Sequence, residues 1–278
     1  MNLLQQAFSH AVPNAIQRFP QSLKFVHWGQ SLLYSRNRTI KRWVKQATST
    51  CQGAVLDVGC GDGHYLFQLK NAKAKRVIAM DRNADWLNFL SDFQSKSTIV
   101  DGLKVEFRTE NLDDDFLAGE KGLDLIFCFS VLPYVKDPGH VFERFSALAS
   151  PGCRLLVYSP VAFDTILPLY RWMFARFQHY ESVQSRKELL SASALTQLAL
   201  NHGFVLKSAV LTYGFWGKLG HECWSMSTML LGASSFPLRM VGVLSVPITL
   251  PMNLVCGFVD RRSETVQGNG WMASFERI

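Results

Sequence analysis

Residues 55–66 read VLDVGCGDGHYL, and this stretch constrains the fold more than any other. A short apolar run is cut off by three glycines, each separated from the next by one residue. Such a run reads as a buried strand that ends in a backbone turn only glycine tolerates. From there to about residue 160, short strand-like runs alternate with helical stretches. RVIAM (76–80), KVEFR (104–108), LDLIFCFS (123–130) and CRLLVYS (153–159) read as further strands. Helical stretches fall between them: one from about Gly63 through Leu69, then NADWLNFLSDFQ, then DPGHVFERFSALAS, stopped by Pro151-Gly152. Strand and helix in alternation mean an open, mostly parallel α/β sheet with right-handed crossovers. LDLIFCFS is unbroken and apolar, as a central strand covered on both faces requires.

The glycine turn carries an electrostatic puzzle. In a doubly wound sheet, a Gly-rich turn after the first strand forms a ligand crevice at the carboxyl edge. The dinucleotide fingerprint would place a third glycine where His64 stands, and Asp62 would repel a pyrophosphate at that position. Asp57 adds a second negative charge. A ligand with positive groups and one small carboxylate would be welcome instead, and S-adenosylmethionine fits that description. Asp57 can attract its ammonium side, and free N–H groups at the start of the following helix can meet its carboxylate. Asp81 ends the next strand, eighteen residues after Gly63, where a carboxylate can accept both ribose hydroxyls. His64 is expected to line the turn.

These stretches resemble the class I S-adenosylmethionine-dependent methyltransferases, of the small-molecule, type-11-like kind. VLDVGCGDG is similar to the family's first motif, VIAMDRNADWL to its second, LDLIFCFSVLPYVKDP to its fourth-strand motif and PGCRLLVYSP to its fifth. The resemblance covers residues 50–160 and continues more weakly beyond. It implies a doubly wound, mostly parallel seven-stranded Rossmann-like sheet with helical cap elements, whose final strand runs antiparallel. GWMASFE at 270–276 fits that last strand. The cofactor set it implies is Asp57, Gly59, Cys60, Gly61, Gly63, Asp81, Arg82, Asn111, Leu112, Phe129 and Ser130. Glu110 competes with Asn111 as the reader of the adenine amino group. Phe129 and Ser130 should face the sulfonium and the acceptor entrance. Asp113, Asp114 and Asp115 read as a solvated turn, and no metal site is expected.

The acceptor is less legible. Methyl transfer needs alignment and exclusion of water, and a base only for some acceptors. Tyr134 and His179 are the candidates for catalysis. His221 and Glu222, in GFWGKLGHECW, read as packing or hydrogen-bonded residues. FSVLPY lacks the Asn/Asp-Pro-Pro-Tyr/Phe motif of amino-directed nucleic-acid methyltransferases, which counts against methylation of exocyclic base amines.

The chain of 278 residues carries a net charge of +7, and residues 1–50 hold seven Lys and Arg with no acid. That segment is either a solvated helix face or an arm for an anionic surface. Its acid-free composition is similar to a transit peptide, but Trp28, Tyr34 and Trp43 give it a packing role, so a cytoplasmic protein is expected. Six cysteines without C-x-x-C pairs read as reduced, buried thiols.

After residue 160 the reading is a helix in DTILPLYRWMFARFQHY, a helix in SASALTQLALNHGF capped at Ser191, and strands at FVLKSAVLTY and GWMASFE. Residues 240–259 are twenty in a row without a charge, preceded by Arg239 and followed by Asp260-Arg261-Arg262. Pro247 and Pro251 argue against a spanning helix, leaving an interfacial or re-entrant segment or a buried hairpin over the active site.

The domain reading is a basic helical cap at 1–50, a cofactor-binding core at 51–160 and a substrate cap at 161–278. The cap would include an apolar, membrane-associated segment at 236–262. The function expected is methyl transfer to oxygen or carbon of a hydrophobic small-molecule or lipid-like acceptor, at the inner face of a membrane. The alternatives are an inactive S-adenosylmethionine-binding scaffold or partner subunit at the membrane, and an RNA methyltransferase.

Overall fold

The computed structural model describes residues 11–71, 73–96, 105–177, 189–263 and 265–278. In chain order the elements are α1 (Asn14–Arg18), α2 (Ser22–Leu33), α3 (Ser35–Thr48), β1 (Ala54–Val58), β2 (Arg76–Asp81), α4 (Ala84–Lys96), β3 (Val105–Thr109), β4 (Leu123–Phe129), α5 (Pro138–Leu148), β5 (Ala149–Pro160), α6 (Pro168–Phe177), α7 (Ala192–Asn201), β6 (Phe204–Thr212), α8 (Phe215–Leu231), α9 (Phe236–Asp260) and β7 (Gly270–Arg277). Short 3-10 helices occupy Leu66–Asn71 and Leu132–Tyr134.

The chain forms two compact units. One comprises residues 39–160, 187–210 and 271–278 and holds the sheet; the other comprises 1–38, 161–186 and 211–270, and its described residues are mostly helical. Residues 39–50 and the last strand thus cluster with the sheet.

The sheet has seven strands in the order β3-β2-β1-β4-β5-β7-β6. Strands β1 to β5 pair in parallel, with Val55 opposite Val77 and Leu125, and Phe129 opposite Tyr158. The last strand runs against its neighbours. Val161 N–H donates to Asn269 O where β5 ends and β7 begins, and Ile278 N–H donates to Gly203 O where β7 ends and β6 begins. Leu56, Ile78, Ile126, Phe127 and Leu155 are fully buried, so the central strands have no wet face.

Two sequence expectations change here. The segment after the glycine turn is not an α-helix from Gly63: residues 61–65 are turns, and only a 3-10 helix follows. Gly63 sits at φ +74°, which a right-handed helix cannot incorporate. The helix before Pro151 ends at Leu148, and β5 begins at Ala149, so Pro151-Gly152 lies within the strand element. Asp137 caps α5, accepting from Gly139 N–H at 2.8 Å, and Ser191 caps α7 as its spacing predicts. All six cysteines are free, and all but Cys51 are buried.

In the helical unit, α8 and α9 pack as a hairpin. Helix α9 is continuous for 25 residues through Pro247 and Pro251. It is neither a broken re-entrant segment nor a buried hairpin arm, because one of its faces is exposed along its whole length.

Candidate active site

The site gathers where β1 and β4 lie side by side while their crossovers lead in opposite directions, the switch point of the sheet. Gly59 and Gly61 have φ of +68° and +52°. A Cβ on Gly59 would stand 2.4 Å from Val131 Cγ2, so the loops after β1 and β4 can meet only over glycine. A Cβ on Gly61 would meet no heavy atom within 4 Å, leaving open space in front of this backbone.

The turn is tied to the end of β2. Gly59 and Cys60 N–H both donate to Met80 O, at 2.8 and 3.0 Å. Gly61 N–H donates to Asp81 Oδ2 at 2.8 Å, and Asn83 N–H donates to Asp81 Oδ1 at 2.9 Å. Each Asp81 oxygen therefore holds one backbone donor and keeps a lone pair for a ligand. The backbone of Asp81 also accepts from Glu110 N–H at 3.1 Å, which links β2 to the loop after β3.

Asp57 is 2% exposed, and its Oδ2 has no hydrogen-bond partner among the described residues. Burial, then repulsion from Asp81 and Asp62, pushes its carboxyl up to about 7. Burial and the same three carboxylates hold the Cys60 thiol well above its usual range. The turn is thus an electronegative pocket, with Asp62 accepting from His64 N–H at 3.2 Å. No α-helix starts at this turn, and the Gly61, Gly63 and His64 N–H groups already donate within the protein, to Asp81, Cys60 and Asp62.

Aromatic side chains continue the site toward β4. The His64 ring meets Tyr65 edge-on at 4.9 Å, Tyr65 meets Phe129 at 4.9 Å, and Phe129 stacks on Phe127 at 5.4 Å. Ser130 follows at φ +62°, a left-handed conformation uncommon outside glycine, while its N–H donates to Tyr158 O at 2.8 Å. Tyr134 is half-buried on the 3-10 turn beyond.

At the carboxyl ends of β2 and β3, a hollow of about 440 Å³ is lined by Arg82, Glu110, Asn111, Asp114 and Phe116, among others. Glu110 Oε2 accepts from Leu117 N–H, and exposed Asn111 accepts from Asp113 N–H at 3.2 Å through Oδ1. Leu112 is buried beneath. The triple aspartate is not simply a solvated turn. Asp113 Oδ1 accepts from Lys136 N–H at 2.7 Å, fastening this loop to the one after β4, and Asp115 pairs with Arg144 at 2.8 Å.

A methyltransferase domain model matches residues 50–211, more than half of the chain. The chain belongs to the methyltransferase domain family. It is 36% identical over 101 residues to the tRNA U34 carboxymethyltransferase of Campylobacter hominis, covering 35% of this chain and 33% of that protein. It is 27% identical over 131 residues to the ubiquinone biosynthesis O-methyltransferase of Xylella fastidiosa, covering 47% of this chain and 51% of the relative. The matches thus span a third to a half of these relatives' length. The fold is shared with a cyclopropane synthase of Mycobacterium tuberculosis (TM-score 0.59, 10% identity, 87% of this chain and 84% of that one). It is shared too with the geranyl diphosphate C-methyltransferase of Streptomyces coelicolor, solved with S-adenosyl-L-homocysteine (TM-score 0.55, 13% identity, 87% and 76%).

S-adenosylmethionine is the cofactor that family membership implies, and the site fits it. The orphaned, buried Asp57 oxygen and the raised Asp57 and Cys60 groups call for positive charge, and the space before Gly61 leaves room for a ligand against bare backbone.

Of the residues expected at the site, the turn, Asp81, Phe129 and Ser130 converge, and Arg82 and Asn111 share the neighbouring hollow. His179 lies outside the described residues. Sequence reading missed Tyr65 and Val131, which carry no motif signal; only their contacts reveal them. In the helical unit, Glu222 accepts from Ile166 and Leu167 N–H at 2.9 and 2.7 Å, capping the approach to α6. His221 sits 5.2 Å from the Tyr213 ring and 6.0 Å from Tyr34; burial, then the charge of Arg36, lowers it to about 4, so it is neutral.

Proposed function

We propose that the chain is an S-adenosylmethionine-dependent methyltransferase acting on oxygen or carbon of a hydrophobic small-molecule or lipid-like acceptor, at the inner face of a membrane. The observation that carries the cofactor half is the trio Asp57, Asp62 and Asp81 around a glycine turn, with a buried Asp57 oxygen lacking a partner among the described residues. In this reading Asp57 meets the ammonium group, directly or through water. Asp81 receives the ribose hydroxyls on its remaining lone pairs. Gly59, Cys60, Gly61 and Gly63 offer close backbone, and Arg82, Asn111 and Leu112 surround the base. Phe129 and Ser130 shape the mouth through which the acceptor approaches.

When bound, the cofactor supplies an electrophilic methyl group on a positively charged sulfur. The chain's task is then alignment and exclusion of water. A hydroxyl acceptor loses its proton as the new bond forms, and Tyr134 or His179 would take it. The acceptor class is supported by the apolar exposure of residues 236–262 and of α2, and by the basic segment 1–50.

The test is transfer of labelled methyl from the cofactor to a membrane lipid extract, with Asp81→Ala as control. Label in the lipid fraction that the variant abolishes is the expected result. Cofactor binding without transfer to any acceptor would leave the scaffold reading, and label appearing in RNA would favour the RNA methyltransferase reading.

A further inference from the structure

Helix α9 is built inside out. A surface helix of a water-soluble protein turns its polar side outward. Here Val241, Leu244, Ile248, Pro251, Val255 and Phe258, spaced by three and four residues, form one outward stripe, with Leu244 69% and Ile248 71% exposed. The polar side chains face inward. Asn253 Nδ2 donates to Leu33 O at 2.9 Å, and buried Asp260 accepts from Gly217 N–H at 2.9 Å. The hydroxyls of Ser245 and Thr249 both meet Ser227 Oγ of α8, each at 2.8 Å. The seam itself uses glycine: a Cβ on Gly220 would stand 2.7 Å from Cys256 Cβ, and one on Gly242 would stand 2.7 Å from Leu231 N. Small residues and hydroxyls inside, aliphatics outside, is the arrangement that helices adopt when their surroundings are apolar.

The surrounding charge says which apolar surface this is. Exposed cations of the same unit include Arg18, Lys24, Arg36, Arg261 and Arg262. Among its described residues the exposed carboxylate is Asp164, already paired with Lys218 Nζ at 2.6 Å. Stripe-to-stripe pairing of two copies would bring these cations together, whereas anionic lipid neutralises them. Helix α2 adds to the same character with Phe25 and Trp28 exposed at 74% and 64% beside Lys24. The prolines decide the orientation. Pro247 and Pro251 leave the carbonyls of Val243 and Pro247 without their helical donors. Water at the interface can satisfy those carbonyls, whereas the hydrocarbon centre offers them no donor, which favours the interface.

We propose that the stripe of α9 rests in the interfacial layer of an anionic lipid bilayer, with the helix axis parallel to the membrane plane. This rests on the reading of the acceptor as lipid-like and names the surface that acceptor comes from. The basic flanks hold the headgroups, and the aliphatic stripe enters the acyl boundary.

The 278-residue chain is floated with vesicles of phosphatidylcholine containing phosphatidylglycerol, and with phosphatidylcholine alone. The expected result is binding that is stronger with the anionic lipid and falls about tenfold or more in Leu244→Glu/Ile248→Glu. Calorimetry of S-adenosylhomocysteine on the same samples should be unchanged by that variant, which separates loss of docking from loss of fold. It also separates failure of this proposal from failure of the cofactor reading. Nitroxides at 241, 248 and 255, in a Cys51→Ser background, should report one common depth. Wild-type protein that stays with neither vesicle would overturn the proposal, as would a double variant that still floats. Graded label depth would instead mean a spanning helix, and a concentration-dependent dimer that the variant dissociates, without vesicle binding, would mean a second copy covers the stripe.

Discussion

The two units of this chain obey opposite rules of exposure. Among the described residues, the sheet unit leaves three large apolar side chains exposed: Leu200, Leu206 and Ile278. The helical unit leaves twenty-one, from Phe19 to Val266. Meanwhile the helical unit buries Lys218, Glu222, Ser227, Asn253 and Asp260. One unit is organised around a dry core with water outside. The other hides small and polar groups in its helix seams and shows aliphatics to its surroundings. The difference teaches that the rule of exposure can invert within one chain, with the glycine turn placed in the unit that keeps its apolar side chains inside.

That contrast can be broken by measurement, beginning with the largest effect. Asp57 is held protonated up to about pH 7 in the free protein, whereas an unfolded aspartate ionises near 4. Between those limits the folded state binds the extra proton, so the contribution of Asp57 to stability is greatest below pH 4 and falls as pH rises to about 7, then levels. The loss attributable to this group is on the order of 4 kcal/mol, and Asp57→Asn should remove it in urea titrations across that range. Next, Gly59→Ala should cost about 3 kcal/mol, because the methyl both meets Val131 and sits at positive φ. Gly61→Ala, with no atom in its path, should cost only about 1 kcal/mol by denaturation yet weaken cofactor binding. Asp81→Ala should lower cofactor affinity about a hundredfold while leaving vesicle flotation untouched, since the docking surface belongs to the other unit. The smallest effect belongs to the stripe: Leu244→Glu/Ile248→Glu should move stability by less than about 0.5 kcal/mol per site. A large destabilisation there would mean the stripe is packed, and the contrast between the units would fail.

The sheet was legible because its central strands are short apolar runs bounded by polar or turn residues, such as Gly59 after AVLDV and Pro160 after CRLLVYS, and every strand expected in the sequence exists. The cofactor turn was legible as a charge pattern, Asp57 and Asp62 beside glycines. What it did not disclose was the conformation after the turn. Gly61 and Gly63 take positive φ, so the helix suggested by HYLFQL yields to turns and a 3-10 segment. Nor could residue types foresee that Asp113 would spend its carboxylate on Lys136 N–H. The helical hairpin was illegible for a deeper reason. Hydrophobic periodicity assumes water outside, and α8 buries Gly217, Gly220, Glu222 and Ser227. Pro247 and Pro251 read as breakers, but they lie on the outward face. Ser245 and Thr249 hydroxyls donate to the carbonyls of Gly242 and Ser245 along the inward side.

The central claim is that the glycine turn is an anionic socket for a cationic cofactor, and titration calorimetry of S-adenosylmethionine from pH 5 to 8, in buffers of different ionisation enthalpy, tests it most directly. The account predicts affinity that weakens about tenfold per pH unit below about 7, with close to one proton released on binding at pH 6. Affinity flat across that range with no proton released, or tighter binding of NADH than of S-adenosylmethionine, would contradict it.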